Sequence, residues 1–165
     1  MSLCSRCINA VGENHRCYLN KHAVLKWHKC KYFESLKHLQ LIRSILEKGW
    51  SAKTTYCTSE EYANEVKSYG QCYVTARTLN YVAGWEILFN GKDGNNHYWN
   101  RLPCGIEVDF TSDQMGGDGI FPLSEMKSTG KIRVFKPLKD CKSCNPRLKR
   151  YLLAVEPELR RCLKN

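Results

Sequence analysis

The chain has 165 residues, enough for one compact domain with a sizeable core, and its 42% hydrophobic and 25% charged residues are ordinary for a globular protein. A formal net charge of +10 points to anionic partners or to a solvated basic surface, and no apolar run is long enough to span a bilayer. The start "MSLCSRCINAVG" lacks a secretory h-region, so the ten cysteines are expected in a reducing, cytoplasmic setting, where metal ligation or catalysis comes before disulfides.

In chain order, the basic, cysteine-rich segment 1–33 comes first, and "FESLKHLQLIRSILEKG" then predicts a helix. Leu36, Leu39, Ile42, Ile45 and Leu46 recur at helical spacing, and Gly49 is a natural stop. A shorter helix fits "SEEYANEVKSYG", where Thr58 and Glu61 have the spacing of a capping box. A third helix follows Gly70 and ends at Gly84. The period then changes to that of strands. "WEILFN" alternates, with Trp85, Ile87 and Phe89 on one face, "GKDGNN" is turn material, and "HYWNRL", "IEVDFT" and "KIRVF" read as further strands. Asn145 and Pro146 form an N-cap and N1 pair for a last helix through "RLKRYLLAV". Helices first and an antiparallel β-meander after them predict a single α+β domain over residues 1–165, with a core at about 36–135 and a C-terminal knuckle and helix at 139–165.

The hairpin 97–111 can be read in more detail. A three-residue loop at Pro103, Cys104 and Gly105 opposes Leu102 to Ile106, Arg101 to Glu107, Trp99 to Asp109 and His97 to Thr111. One face then carries Tyr98, Asn100, Leu102, Ile106, Val108 and Phe110, and the other His97, Trp99, Arg101, Glu107, Asp109 and Thr111. A one-residue slip would destroy that segregation. In this register His97 and Asp109 are diagonal neighbours on one face.

"SYGQCYVTARTLNYVAG" places Cys72 at the first turn of the third helix, where unsatisfied amides and the helix dipole favour a thiolate. An imidazole can hold or shuttle the thiol proton, a carboxylate can orient that imidazole, and backbone or side-chain amides can stabilise an oxyanion. Cys72, His97, Asp109 and Gln71 fit those roles in turn, and Trp99 would shield the imidazole from water. On residue types alone a buried cysteine is usually just a small hydrophobe.

"GQCYVTA", "GWEILFNG", "HYWNRL" and "GIEVDFTSDQ", in that order, resemble the YunG-like family of small bacterial and phage proteins. Their arrangement is also similar to the broader papain-like and transglutaminase-like superfamily. There a cysteine opens a helix, a histidine begins the next strand in an H-x-W pattern, and an aspartate lies on the following strand before a threonine. Cys72, His97 with Trp99, and Asp109 with Thr111 match those places, over a likeness covering about residues 36–125. The resemblance implies a papain/transglutaminase-like core and acyl transfer through a thioester, as peptidase, isopeptidase, deamidase, amidase or transglutaminase.

"CSRC" (Cys4, Cys7) and "CKSC" (Cys141, Cys144) are two C-x-x-C knuckles that together suit a structural Zn²⁺ clasp joining the termini. Cys17, His22, His28 and Cys30 form a second conceivable ligand set, whereas Cys57, Cys104 and Cys162 read as packing residues. Asp113 and Asp118 in "TSDQMGGDG" mark an ion site or a mobile rim. The rival to an enzyme is a non-catalytic zinc-containing binding module for nucleic acid or an acidic protein. Its contacts would come from Lys21, Lys26, Lys29, Lys31, Lys37 and Arg43 interleaved with Trp27, Tyr32 and Phe33.

Overall fold

The computed structural model describes residues 36–91, 96–103, 105–124 and 145–164. Helix α1 (Leu36–Glu47) buries Leu39, Ile42, Ile45 and Leu46, the stripe expected from its 3.6-residue period. The short α2 (Ser59–Ala63) carries the anticipated capping box, with Thr58 Oγ1 accepting from Glu61 N and the Glu61 carboxylate from Thr58 N. Helix α3 (Cys72–Ala83) ends on Gly84 in the left-handed conformation at φ 72°. Helix α4 (Pro146–Cys162) starts on Asn145, whose side chain accepts from Arg147 N. It runs beyond the expected end, through Pro157. The buried stripe Leu148, Tyr151, Val155, Leu159 and Cys162 explains why, since packing on both sides of the proline outweighs the ~3 kcal/mol it costs a helix.

Three strands, β1 (Glu86–Asn90), β2 (His97–Arg101) and β3 (Glu107–Val108), form an antiparallel sheet in the order β1-β2-β3. The architecture is therefore α+β, with α3 packed against β2 and α4, and α1 against α4. The core joins Ile42, Leu46, Leu79, Trp85, Val108 and Tyr151, among others. Tyr151 Oη donates to Leu46 O at 2.9 Å, and Trp50 Nε1 to Thr75 Oγ1 at 3.0 Å, so the large amphipathic rings are satisfied as well as buried.

The hairpin register is the expected one. Arg101 pairs with Glu107 and Asn100 with Val108, Leu102 N donates to Ile106 O at 2.8 Å, and Gly105 takes φ 92° in the loop. Two expectations fail. The alternation of β1 is not an alternation of burial: Ile87 and Leu88 are both buried, because Leu88 lies opposite the buried Trp99. "IEVDFT" does not continue as a strand either, since the ladder stops at Val108 and Asp109 N donates to Ile120 O at 2.8 Å. The cause is local. Asp109 Oδ1 accepts from Thr111 N at 3.0 Å and from Thr111 Oγ1 at 2.9 Å, an Asx-type turn that competes with the ladder.

After the turn, a 3₁₀ helix (Ser112–Met115) leads into the glycine-rich stretch. That stretch is pinned rather than a free rim. Arg43 of α1 donates to Phe110 O at 3.1 Å and to Gly119 O at 2.7 Å, and it pairs with Asp113 at 2.7 Å and Glu47 at 2.8 Å. Gly119, at φ 72°, leaves no alternative residue, for a Cβ there would lie 1.3 Å from Arg43 Nη1. Asp118 Oδ1 accepts from Ile120 N and Phe121 N, so both aspartates of the stretch are engaged by protein donors. Arg43 is thus committed to the fold, not to phosphate. The proposed strand "KIRVF" and the basic residues 21–33 lie outside the described residues.

Candidate active site

The turn before α3 decides where Cys72 stands. Gly70 has φ 66°, and a Cβ on it would meet Thr55 Oγ1 at 2.3 Å and Cys57 Sγ at 3.1 Å, so glycine is required there. Thr55 Oγ1 donates to Tyr69 O at 2.9 Å, and Tyr56 N donates to Gly70 O at 3.0 Å, which fixes the turn from the other side. Helix α3 then opens at Cys72 with Gln71 as its N-cap residue. The first amides of a helix have no intrahelical acceptor, and Cys72 sits among them.

The hairpin brings His97 to the same place. His97 Nε2 and Asp109 Oδ2 are 2.7 Å apart in a site where His97 is 6% exposed and Asp109 1%. The two Thr111 bonds to Asp109 Oδ1 hold the carboxylate, and Trp99 stacks beside the imidazole at 6.0 Å between ring centroids. Trp99 is itself held by its Nε1 donating to Glu107 Oε2 at 2.8 Å. Burial pulls the His97 pKa down, but the hydrogen bonds and charges of Asp109 and Cys72 outweigh it and raise the imidazole to about 10. Cys72, His97, Asp109 and Trp99 are therefore assembled as a group, with Cys72 8% exposed at the base of a cleft of about 770 Å³.

Gln71 is placed differently from the expectation. It is fully buried, its Oε1 accepts from Thr54 Oγ1 at 3.0 Å and its Nε2 donates to Ser51 O at 3.0 Å. Those bonds turn the amide into the 51–54 turn, so Gln71 positions the start of α3 and presents no donor to the cleft. The amide that lines the cleft is Gln114, on the 3₁₀ helix. Its Nε2 lies 3.3 Å from His97 Nδ1 and donates to Thr111 O at 3.0 Å, while its Oε1 accepts from Gly70 N at 3.2 Å.

The cleft wall is aromatic. Tyr56, Tyr73 and Tyr98 meet edge to face, each pair 5.2 Å between centroids, and Phe89 continues the row at 4.8 Å from Tyr98. Burial, reinforced by Tyr73, pushes the Tyr56 phenol up to about 12, so that hydroxyl is uncharged at neutral pH. Arg147 stacks over Tyr56 at 4.9 Å, and Asn145 Nδ2 donates to the Tyr56 hydroxyl. Cys57 lines the same cleft, its Sγ 2.8 Å from Thr55 Oγ1. Cys162, read as a packing residue without a partner, is buried but has its Sγ 3.3 Å from His38 Nε2.

Among the described residues no group of three or more His, Cys, Asp or Glu side chains could hold a metal ion. The knuckles Cys4, Cys7, Cys141 and Cys144, and the set Cys17, His22, His28 and Cys30, lie outside the described residues. No described helix is long and apolar enough to cross a membrane.

Comparison with known proteins adds a family. No solved structure matches the chain. The protein described as "Uncharacterized protein YunG", from Bacillus subtilis (strain 168), is 32% identical over 76 residues, or 46% of this chain, which spans 62% of that relative's length. Residues 38–137, more than half of the chain and all of the Cys72–Gln114 site, match the YunG protein family. The chain belongs to the YunG family.

Proposed function

We propose that the protein is a cysteine-dependent acyl-transfer enzyme of the papain-like and transglutaminase-like kind, acting on an amide. The observation that carries this reading is the buried His97–Asp109 contact of 2.7 Å, with Cys72 against the same imidazole at the base of a cleft. Asp109 occupies Nε2, so Nδ1 is the nitrogen that holds the Cys72 proton, and with the imidazole raised to about 10 it holds that proton at neutral pH. Sγ, its proton already on Nδ1, attacks the carbonyl carbon, and the carbonyl π pair moves onto oxygen. His97 then gives the proton to the departing amine, the C–N bond breaks and a thioester remains. Water or a second amine, relieved of a proton by His97, attacks the thioester, and Cys72 leaves with the proton restored. Peptidase, isopeptidase, deamidase and transglutaminase differ only in the donor and in that last acceptor. The neutral aromatic wall favours an uncharged acyl group over an acidic or basic one.

The test is the pH dependence of iodoacetamide labelling, resolved by cysteine, in wild type and His97→Ala. Cys72 should react fastest, and the variant should lose that advantage. If Cys72 is indistinguishable from Cys57, the reading is wrong. The binding-module reading then leads, carried by the exposed Arg147, Lys149 and Arg150 of α4, and it requires affinity for nucleic acid that falls steeply with salt. The Zn²⁺ clasp of Cys4, Cys7, Cys141 and Cys144 is a separate proposal with a structural role. One zinc per chain, released by a thiol-blocking reagent and reduced in Cys4→Ser, is its expected signature.

A further inference from the structure

The aromatic wall of the cleft ends on a charge. Tyr73 and Tyr98 adjoin Cys72 and His97 in the chain and line the cleft with them, and Tyr56 continues the row from Tyr73 at 5.2 Å. Beyond Tyr56 stands Arg147, exposed in the first turn of α4, its guanidinium carbon 4.9 Å from the ring centroid. The ring beneath it is held in place: Tyr56 meets Tyr73 edge to face, and Asn145 Nδ2 donates to its hydroxyl. Stacking uses only the faces of a guanidinium, so the N–H edge of Arg147 keeps its donors for another group.

Among the described residues no carboxylate pairs with Arg147, whereas Arg43, Arg101 and Arg160 each have one and Arg150 donates to Lys53 O. Tyr56 stays an uncharged phenol and is no counter-ion. Among the described residues that line the cleft there is no aspartate or glutamate to repel an anion. The ring contacts of 5.2 and 4.9 Å set Arg147 Cζ within about 10 Å of the Tyr73 centroid, a span that an extended chain covers in about three residues.

We propose that Arg147 is a specificity-determining residue of this site, reading a carboxylate about three residues from the reacting amide, so that the substrates are peptide segments with an acidic residue at that spacing. The inference rests on the reading of Cys72 as a nucleophile and adds a substrate class to it. The uncharged acyl group lies against Tyr73 and Tyr98, and the segment runs over Tyr56 to the guanidinium, whose fork can take both carboxylate oxygens. The net charge of +10 draws an acidic segment in from a distance, and Arg147 fixes its register. A carboxylate next to the reacting carbonyl gains nothing, since it falls short of Arg147 and faces the Cys72 thiolate.

The experiment applies p-nitrophenyl half-esters of dicarboxylic acids to the full chain, each releasing p-nitrophenolate as Cys72 is acylated. Sebacic acid supplies a chain long enough for the span and succinic acid one too short. Each half-ester is compared with the same molecule capped by a methyl group on its far carboxylate. At low salt the free sebacate should acylate Cys72 about fivefold faster than its capped form, the upper end for an exposed charge pair. That ratio should fall towards one in about 1 M salt. The succinate pair should show no such preference. Arg147→Met should bring the sebacate ratio to one, and Arg147→Glu should turn it in favour of the capped ester. A sebacate ratio near one in the wild type, a ratio that survives Arg147→Met, or an equal preference in the succinate pair overturns the proposal. The rate with p-nitrophenyl acetate separates the two readings. If Cys72 is acylated faster than Cys57, those outcomes count against Arg147 alone; if it is not, the nucleophile reading fails and this inference with it.

Discussion

Arg101–Glu107 and His97–Asp109 occupy opposite ends of one hairpin face, and only one of them is sealed from solvent. At the first end the ladder is regular, Arg101 bridges Glu86 at 3.0 Å and Glu107 at 2.8 Å, and the side chains keep about a third of their exposure. At the second end the ladder has stopped, the pair is nearly sealed from solvent, and every carboxylate oxygen of Asp109 has a donor. The charge pattern is the same. Burial and the departure of the chain after Val108 make the difference, since a buried charge must be satisfied whereas an exposed one trades its partner for water.

The sharpest way to break this comparison is Cys72→Ala. It should abolish hydrolysis of p-nitrophenyl acetate at this site, by about 10⁴-fold or more, and leave the circular dichroism spectrum unchanged. Next comes Asp109→Ala, which removes the partner of His97 and of two Thr111 donors; it should cost ~2–4 kcal/mol in urea unfolding. The pH dependence of stability follows. His97 has a native pKa of about 10, above its ordinary value of 6.5, so its contribution is complete below about 6.5 and is lost as pH rises through 10. Stability of wild type should decline across that window, and Asp109→Asn should flatten the decline. The smallest effect belongs to the regular end: Arg101→Met should cost less than ~1 kcal/mol, and the difference should shrink further in 1 M salt. A larger penalty there than at Asp109 would reverse the comparison.

What the sequence reveals divides along the same line. The hairpin register was readable because period-2 segregation and Gly105 agree, and the helix starts were readable from Thr58 with Glu61 and from Asn145 with Pro146. The juxtaposition of Cys72, His97 and Asp109 was readable because each stands at a landmark: a helix start, a strand start and the same hairpin face. Gln114 was not, for its contact with Gly70 spans 44 residues and follows no period. Gln71 misled because adjacency to Cys72 in the chain says nothing about which way a side chain turns at a helix start. Arg43 misled for a related reason: a basic residue in a basic stretch gives no sign that four acceptors await it. The end of β3 was hidden by its strand-like composition, although the Asp109–Thr111 spacing that stops it was in view.

The Arg43 clamp also sets a timetable. It joins residue 43 to carbonyls 67 and 76 positions further along, so the turn carrying Asp109 and Gln114 is fastened only after a long stretch of chain has been made and brought back to α1. Closing so wide a loop is an entropic cost met only when the intervening elements are packed. Cys72 is synthesised well before Gly119, and the turn that carries Asp109, the partner of His97, is fastened only with that closure. On the function proposed above, the reactivity of Cys72 would thus await the completion of folding.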